Sequence, residues 1–171
     1  LKLEAIEGGQ LIGQAIENVS IDAQSQMFFP LRLSINRAVP AGKREVQFLL
    51  VDKEGVAKAR FLSALVVNPK KEVRLSAHQT NTLMQHVGDS LTVSAMLSNR
   101  GNSHETIIVT AAFPDMRGGK RIEKKRIALE PFQDTVVSFK KIMTKELLRI
   151  EHYNVNLAAL YENGELINNV M

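Results

Sequence analysis

Cysteine and tryptophan are both missing from the 171 residues, and aromatic side chains make up only 5% of them. Without cysteine there is no disulfide, no thiolate metal site and no cysteine nucleophile. Without tryptophan, and with so few rings, any core has to be built mainly from Val, Ile, Leu, Ala and Met. No window approaches the ~18 continuous apolar residues of a spanning helix. No charged, apolar, small-residue leader pattern follows Leu1, so the chain reads as a piece of something longer. The signatures G-x-S-x-G and H-E-x-x-H are absent. What remains is an ordinary globular composition, 44% hydrophobic and 23% charged, with a net charge of +4. That mild excess permits an acidic partner without demanding one.

The dominant period is two. Met27, Phe29, Leu31, Leu33 and Ile35 alternate with Phe28, Pro30, Arg32, Ser34 and Asn36. The same holds for Val46, Phe48 and Leu50, for Leu91, Val93, Ala95 and Leu97, and for Ile107, Val109, Ala111 and Phe113. Thr135, Val137 and Phe139 follow, then Val155, Leu157, Ala159 and Tyr161. Alternation of this kind means half-buried strands. The breaks carry turn chemistry: Gly8-Gly9, Pro40-Ala41-Gly42, Glu54-Gly55, Gly88-Asp89, Asn99 to Ser103, Gly118-Gly119 and Asn163-Gly164. Many short strands separated by turns predict an all-β sandwich. One segment, Thr144 to His152, has helical spacing and is expected to be a loop with a helical turn that Thr144 caps. The break at Asn99–Ser103 reads as the turn between the second and third strands of a unit, with Gly101 and Asn102 suited to positive φ.

The chain also repeats itself. VQFLLVDKEG at 46–55 lies over VNLAALYENG at 155–164 without a gap, an offset of 109 (155 against 46). Val19 to Asp22 lies over Ile127 to Glu130 at a similar offset, and LKLEAIEGG at 1–9 over AAFPDMRGG at 111–119, aligned on their Gly-Gly pairs. A repeat of this length is one immunoglobulin-sized sandwich. Two tandem Ig-like β-sandwich units are therefore expected. Residues 1–68 form a partial one that lacks its initial strands and runs from strand C to strand G. Residues 73–171 form a nearly complete one. A sheet missing its covering layer leaves an open edge and a bare apolar face.

Three stretches carry a family resemblance: GDSLTVSAMLSNRGN at 88–102, ENVSIDAQSQMFFPLRLSINRAVPAGKREVQFLLVDKEG at 17–55, and IALEPFQDTVVSF at 127–139. Together they resemble tandem bacterial and archaeal Ig-like modules of the CARDB-like kind, attached to glycosidases and large envelope proteins. Residues 1–67 also resemble the Ig-like tail of the membrane ferredoxins that assist cytochrome oxidase assembly. The resemblance implies a spacer, adhesion or carbohydrate-associated role. Unit two departs from the family pattern, with Leu147 to His152 standing where unit one has its Val-Pro-x-Gly. Tyr153-Asn154-Val155 opens what should be strand F and matches the tyrosine-corner pattern, whereas unit one has Arg44 there.

The candidate chemistry is sparse. His78, His86, His104 and His152 share no ligand spacing, so surface histidines are expected rather than a metal site. Asp89, Glu105, Asp115 and Glu130 sit at turns, where carboxylates usually hold backbone or water. Gly8-Gly9 is followed by no Lys-Ser/Thr and reads as a hairpin turn, not a phosphate loop. Asn18-Val19-Ser20 is a sequon placed on what looks like a strand. The most uneven charge is MRGGKRIEKKR at 116–126. There Arg117, Lys120, Arg121, Lys124, Lys125 and Arg126 crowd one hairpin, with Lys140 and Lys141 expected nearby. This is the candidate ligand-binding patch, for an anionic glycan, a lipid headgroup, a nucleic acid or an acidic protein. The structural alternative is an edge strand guarded by Lys and Arg against unwanted pairing. Aromatic platforms for bases are missing, which counts against single-stranded nucleic acid.

No catalytic residue, cofactor or metal is expected. The expected role is a non-catalytic structural or interaction segment of a larger secreted, periplasmic or surface protein. Its partners would be other domains of the same longer chain, or a protein docked by β-strand addition. The alternatives are a glycan- or polyanion-binding module using the 116–126 hairpin, and an accessory domain of a hydrolase.

Overall fold

The alternating runs become antiparallel ladders in the computed structural model, which describes residues 1–17, 26, 28, 30–80, 86–115, 119–149 and 154–170. The chain is all-β and divides into two compact units, Leu1–Pro69 and Lys70–Met171.

In unit one, β1 (Lys2–Glu7) and β2 (Gln10–Ile16) are joined through Gly8-Gly9 alone. Both glycines have positive φ, 55° and 83°, as a two-residue type I′ hairpin requires. β3 (Ser34–Ile35), β4 (Gly42–Val51) and β5 (Ala57–Val67) complete one sheet in the order β3-β2-β1-β4-β5. One face carries Ala5, Val46, Phe48 and Val67, which are buried with Ile12 and Val39. Of the alternating run from Met27 to Ile35, pairing among the described residues is confined to β3. Met27 and Phe29 lie outside those residues, and Pro30 offers no amide to a ladder.

Unit two is a sandwich. β6 (Val73–Thr80), β7 (Ser90–Asn99) and β10 (Asp134–Ile142) form a sheet in the order β10-β7-β6. β8 (Glu105–Pro114), β9 (Lys120–Leu129), β11 (Asn156–Tyr161) and β12 (Leu166–Val170) form the other, in the order β12-β11-β8-β9. The fourth strand, β9, thus pairs with the third instead of joining the first sheet, as it would in a constant-type Ig domain. A full ten-residue register with β8, from Glu105↔Leu129 to Pro114↔Lys120, holds it there. The periodicity expected from sequence is realised: Leu91, Val93, Ala95, Leu97, Ile107, Val109, Ala111, Phe113, Val137, Phe139, Leu157 and Ala159 all point into one core. Thr144 caps the expected helical turn, its Oγ1 accepting from Leu147 N at 3.4 Å, and a short 3-10 helix runs over Leu147–Arg149.

The repeat is visible as geometry. Asp52 N donates to Val56 O and Gly55 N to Asp52 O after β4; Tyr161 N donates to Glu165 O and Gly164 N to Tyr161 O after β11. Gly55 and Gly164 have φ of 85° and 87°. A bulge interrupts pairing between Leu50 and Val51 in one hairpin, and between Ala159 and Leu160 in the other. Each of these matched positions is 109 residues from its counterpart (161 against 52). The sheet β2-β1-β4-β5 therefore repeats β9-β8-β11-β12 strand for strand. One segment of the sequence match needs correction. Ala5 faces Phe48 and Ala111 faces Leu157, so Ala5 is the counterpart of Ala111. Matching the Gly-Gly pairs had set Leu1 there. The two turns differ in length: β8 and β9 are joined through 115–119, not through two glycines.

Arg44 stands at the corner position of unit one and does the bonding a corner tyrosine would. Its Nε donates to Pro40 O at 3.1 Å, and its Nη1 reaches both carboxylate oxygens of Glu7 at 2.9 and 2.7 Å. Tyr153, its counterpart in unit two, lies outside the described residues, as do His152 and the Asn18-Val19-Ser20 sequon.

The Asn99–Ser103 break is a turn between β7 and β8, but not for the reason expected. Neither Gly101 nor Asn102 has positive φ. Gly101 is needed for space: a Cβ there would lie 2.1 Å from Lys70 O and 2.9 Å from Glu72 N. The loop clamps the start of unit two. Arg100 N donates to Glu72 O, Asn102 N to Lys70 O, and Lys70 N to Asn102 Oδ1. Fully buried Asn99 holds the loop from beneath. Its Nδ2 donates to Ser103 O and Glu130 O, and its Oδ1 accepts from Gly101 N.

Candidate functional site

The basic residues singled out from sequence fall on β9, the edge strand of the four-stranded sheet. Arg117 lies outside the described residues. The remaining five do not form one patch. A strand alternates its faces, so Lys120, Lys124 and Arg126 point away from the sandwich with Ile122. Arg121 and Lys125 point toward it, on the same side as Ile127 and buried Leu129.

Two of the five are engaged. Lys125 Nζ crosses the flank of the sandwich, donating to Ser138 O at 2.6 Å and sitting 5.3 Å from the Phe139 ring centroid. It ties the two edge strands β9 and β10 together. Arg126 pairs with Glu162. Lys120, Arg121 and Lys124 form no ion pair among the described residues.

Below the Lys125 crossing, the flank opens into a cleft of about 580 Å³. Arg121 and Glu123 of β9 line one side; Lys140, Lys141 and Ile142 of β10 line the other, with Pro114, Asp115, Thr144 and Leu147 closing one end. The expected proximity of Lys140 and Lys141 to the hairpin is thus what the structure shows. Asp115 is committed to the turn, its Oδ1 accepting from Gly119 N at 2.9 Å. Sequence reasoning missed Pro114, Ile142 and Leu147. Each ends a strand or starts a turn, and no spacing rule links the three.

A second, polar cleft of about 510 Å³ is lined by Lys71, His104, Glu105, Thr106, Tyr161, Glu162 and Asn163. Glu105 is buried and accepts from Ser103 Oγ at 2.6 Å, with Lys71 Nζ 3.8 Å away. His104 pairs with Glu130 at 3.0 Å and Asp89 accepts from His86 N. These groups hold loops. Among the described residues no three His, Asp or Glu side chains gather as a metal site, and no helix is long and apolar enough to cross a membrane. S-x-x-K, read as absent along with the other nucleophile signatures, is in fact spelled by Ser138 and Lys141, but residues three apart on a strand face opposite sides. Ser138 Oγ bonds Ser94 Oγ at 2.7 Å, so no Ser–Lys pair forms.

Charge near the turns shifts a few groups. Lys58, bonded to Asp52 at 2.8 Å, holds that carboxyl below its ordinary range, helped by the Val56 and Glu54 amides. The same contact raises Lys58. Lys70, and after it Arg74, keep Glu72 low.

No protein-family model matches the chain, and no curated protein matches it. Among solved structures, the chain is similar to a β-glucosidase from Listeria innocua in complex with glucose, at 12% identity and a TM-score of 0.39, over 58% of this chain and 15% of that one. A β-glucosidase from Kluyveromyces marxianus is similar at 12% identity and a TM-score of 0.39, over 68% of this chain and 14% of that one. The chain spans about a seventh of the length of these enzymes.

Proposed function

We propose that the chain is a non-catalytic structural and interaction segment of a larger envelope or secreted protein, spacing domains and docking partners through its sheet edges. The observation that carries the reading is β5. It is an eleven-residue outer strand whose far edge is unpaired among the described residues. Leu62 and Val66 on one face are 79% and 66% exposed, and Phe61 on the other is 49% exposed, stacked on Phe48. A long apolar edge is a template for pairing. In unit two the equivalent sheet has its inner face covered by β10-β7-β6, and Ile107, Val109 and Ala111 are fully buried. The occupant that fits unit one is therefore a second apolar-faced sheet of that kind, supplied by another polypeptide segment.

The test uses the whole 171-residue chain in sedimentation velocity and Nile red titration. The expected result is dye binding and concentration-dependent association, both reduced by Phe61→Lys with Ser63→Lys, two exposed positions on the face that carries Val46 and Phe48. A chain that stays monomeric at high concentration and leaves the dye dark overturns the reading.

A further inference from the structure

We infer that the flank of unit two between β9 and β10 is a docking groove for an acidic, extended peptide segment of a protein partner. The inference rests on the reading of the chain as an interaction segment and names a second edge, with its own ligand chemistry.

Three features converge on it. The first is backbone. β9 pairs only with β8 and β10 only with β7 among the described residues. Alternate amides and carbonyls of both strands therefore point outward, and an added strand can bond them. Lys125 takes Ser138 O, which leaves Lys120–Lys124 as the accessible length of β9. The second is charge. Lys120, Arg121 and Lys124 have no carboxylate partner among the described residues, and Lys140 and Lys141 line the opposite wall. Lysines on an edge repel a basic or apolar strand but complement an acidic one. The third is apolar surface. Ile142, 63% exposed, and Leu147 line the cleft, and Ile122, 58% exposed, stands on the outer face of the β9 edge, where every second side chain of an added strand would meet it. These surfaces take aliphatic side chains.

A polyanionic sugar chain would meet the charges but could not pair with a strand edge in register. The groove also offers no aromatic platform among its lining residues. The geometry therefore favours a peptide. Pairing with Lys120–Lys124 fixes the pattern: acids opposite Lys120, Arg121 and Lys124, an aliphatic residue opposite Ile122, and a neutral polar residue opposite Glu123. In an antiparallel strand this reads Glu-Thr-Val-Glu-Glu.

The probe is that pentapeptide, flanked by Ser-Gly and carrying fluorescein, titrated against the whole chain by fluorescence anisotropy at two salt concentrations. Expected is salt-sensitive binding, weakened by about tenfold or more in Arg121→Glu with Lys141→Glu. Both side chains line an open cleft, so the melting temperature should hold. A version methylated on alternate backbone nitrogens should also lose binding, because it cannot pair with the edge. If the methylated peptide binds as tightly, or a heparin oligosaccharide displaces the probe and shows equal affinity, the groove reads charge alone and the inference falls. Absence of probe binding overturns it too. If binding is lost in Phe61→Lys with Ser63→Lys and kept in the groove variant, the inference fails while the interaction reading stands. If association through β5 fails but groove binding persists, the reverse holds.

Discussion

Gly101 is confined by the backbone of another segment, and this decides what a mutation there does. A methyl group would overlap Lys70 O at 2.1 Å. A carbonyl fixed by its own bond to Asn102 N cannot swing aside as a side chain could. Gly101→Ala is therefore expected to destabilise unit two by about 1–3 kcal/mol, as overpacking does, measured by urea denaturation. Gly55→Ala is strained through its φ of 85° instead. It should cost about 1–2 kcal/mol and act on unit one. At Asp52 the relevant variable is pH. Its folded carboxyl is held low by Lys58 first and by the Val56 and Glu54 amides. A lowered folded value means stability that is present above the ordinary aspartate range and lost as pH falls through the lowered value. Asp52→Asn should melt below the unmodified chain at neutral pH, and the gap should close in acid. A gap that widens on acidification would refute the assignment.

At the scale of elements, the two flanks of the unit-two sandwich are sewn by single side chains. On one side Lys125 joins β9 to β10. On the other, Asn168 of β12 acts as a stretch of backbone: its Oδ1 accepts from Leu75 N at 3.0 Å and its Nδ2 donates to Leu75 O at 2.7 Å. Removing it orphans both polar groups of Leu75 at once. Asn168→Ala should cost about 1–3 kcal/mol, and amide exchange at Leu75 should accelerate more than at Ala95 in the centre of the sheet. No sequence rule marks this asparagine, because its partner lies 93 residues away. The strands themselves were legible, since burial on one face imposes period two on the letters of β7, β8, β10 and β11. The β4–β5 and β11–β12 hairpins were legible because bulge and glycine leave the same spacing in each. The β1–β8 match failed where turn length changed, and letters do not record which residue pairs with which. The basic residues of β9 were legible as charge. Their division between two faces, and the convergence of Arg121 with Lys140 and Lys141, came from the flank geometry of a sandwich.

For the whole molecule, two cores of unequal size imply two unfolding events. Among the described residues, unit one buries six apolar side chains in its cluster, Val46 and Phe48 among them. Unit two buries eighteen, including both fully enclosed phenylalanines, Phe113 and Phe139. Stability rises with the apolar surface buried per residue, and a chain of about 70 residues is already marginal when well packed. A single sheet that exposes Phe61 and Leu62 falls below that. Scanning calorimetry of the whole chain should therefore resolve a lower transition from unit one and an upper one from unit two, since separate cores break two-state behaviour. Phe139→Ala, costing about 3–5 kcal/mol, should lower the upper transition alone. Phe48→Ala should lower or abolish the lower one alone, because it removes the ring on which Phe61 stacks at 5.1 Å. A segment that covers the unit-one sheet would raise the lower transition and leave the upper one in place. A single transition moved equally by both substitutions would mean that the units share one core. In that case the open face of unit one would not be the place where a partner docks.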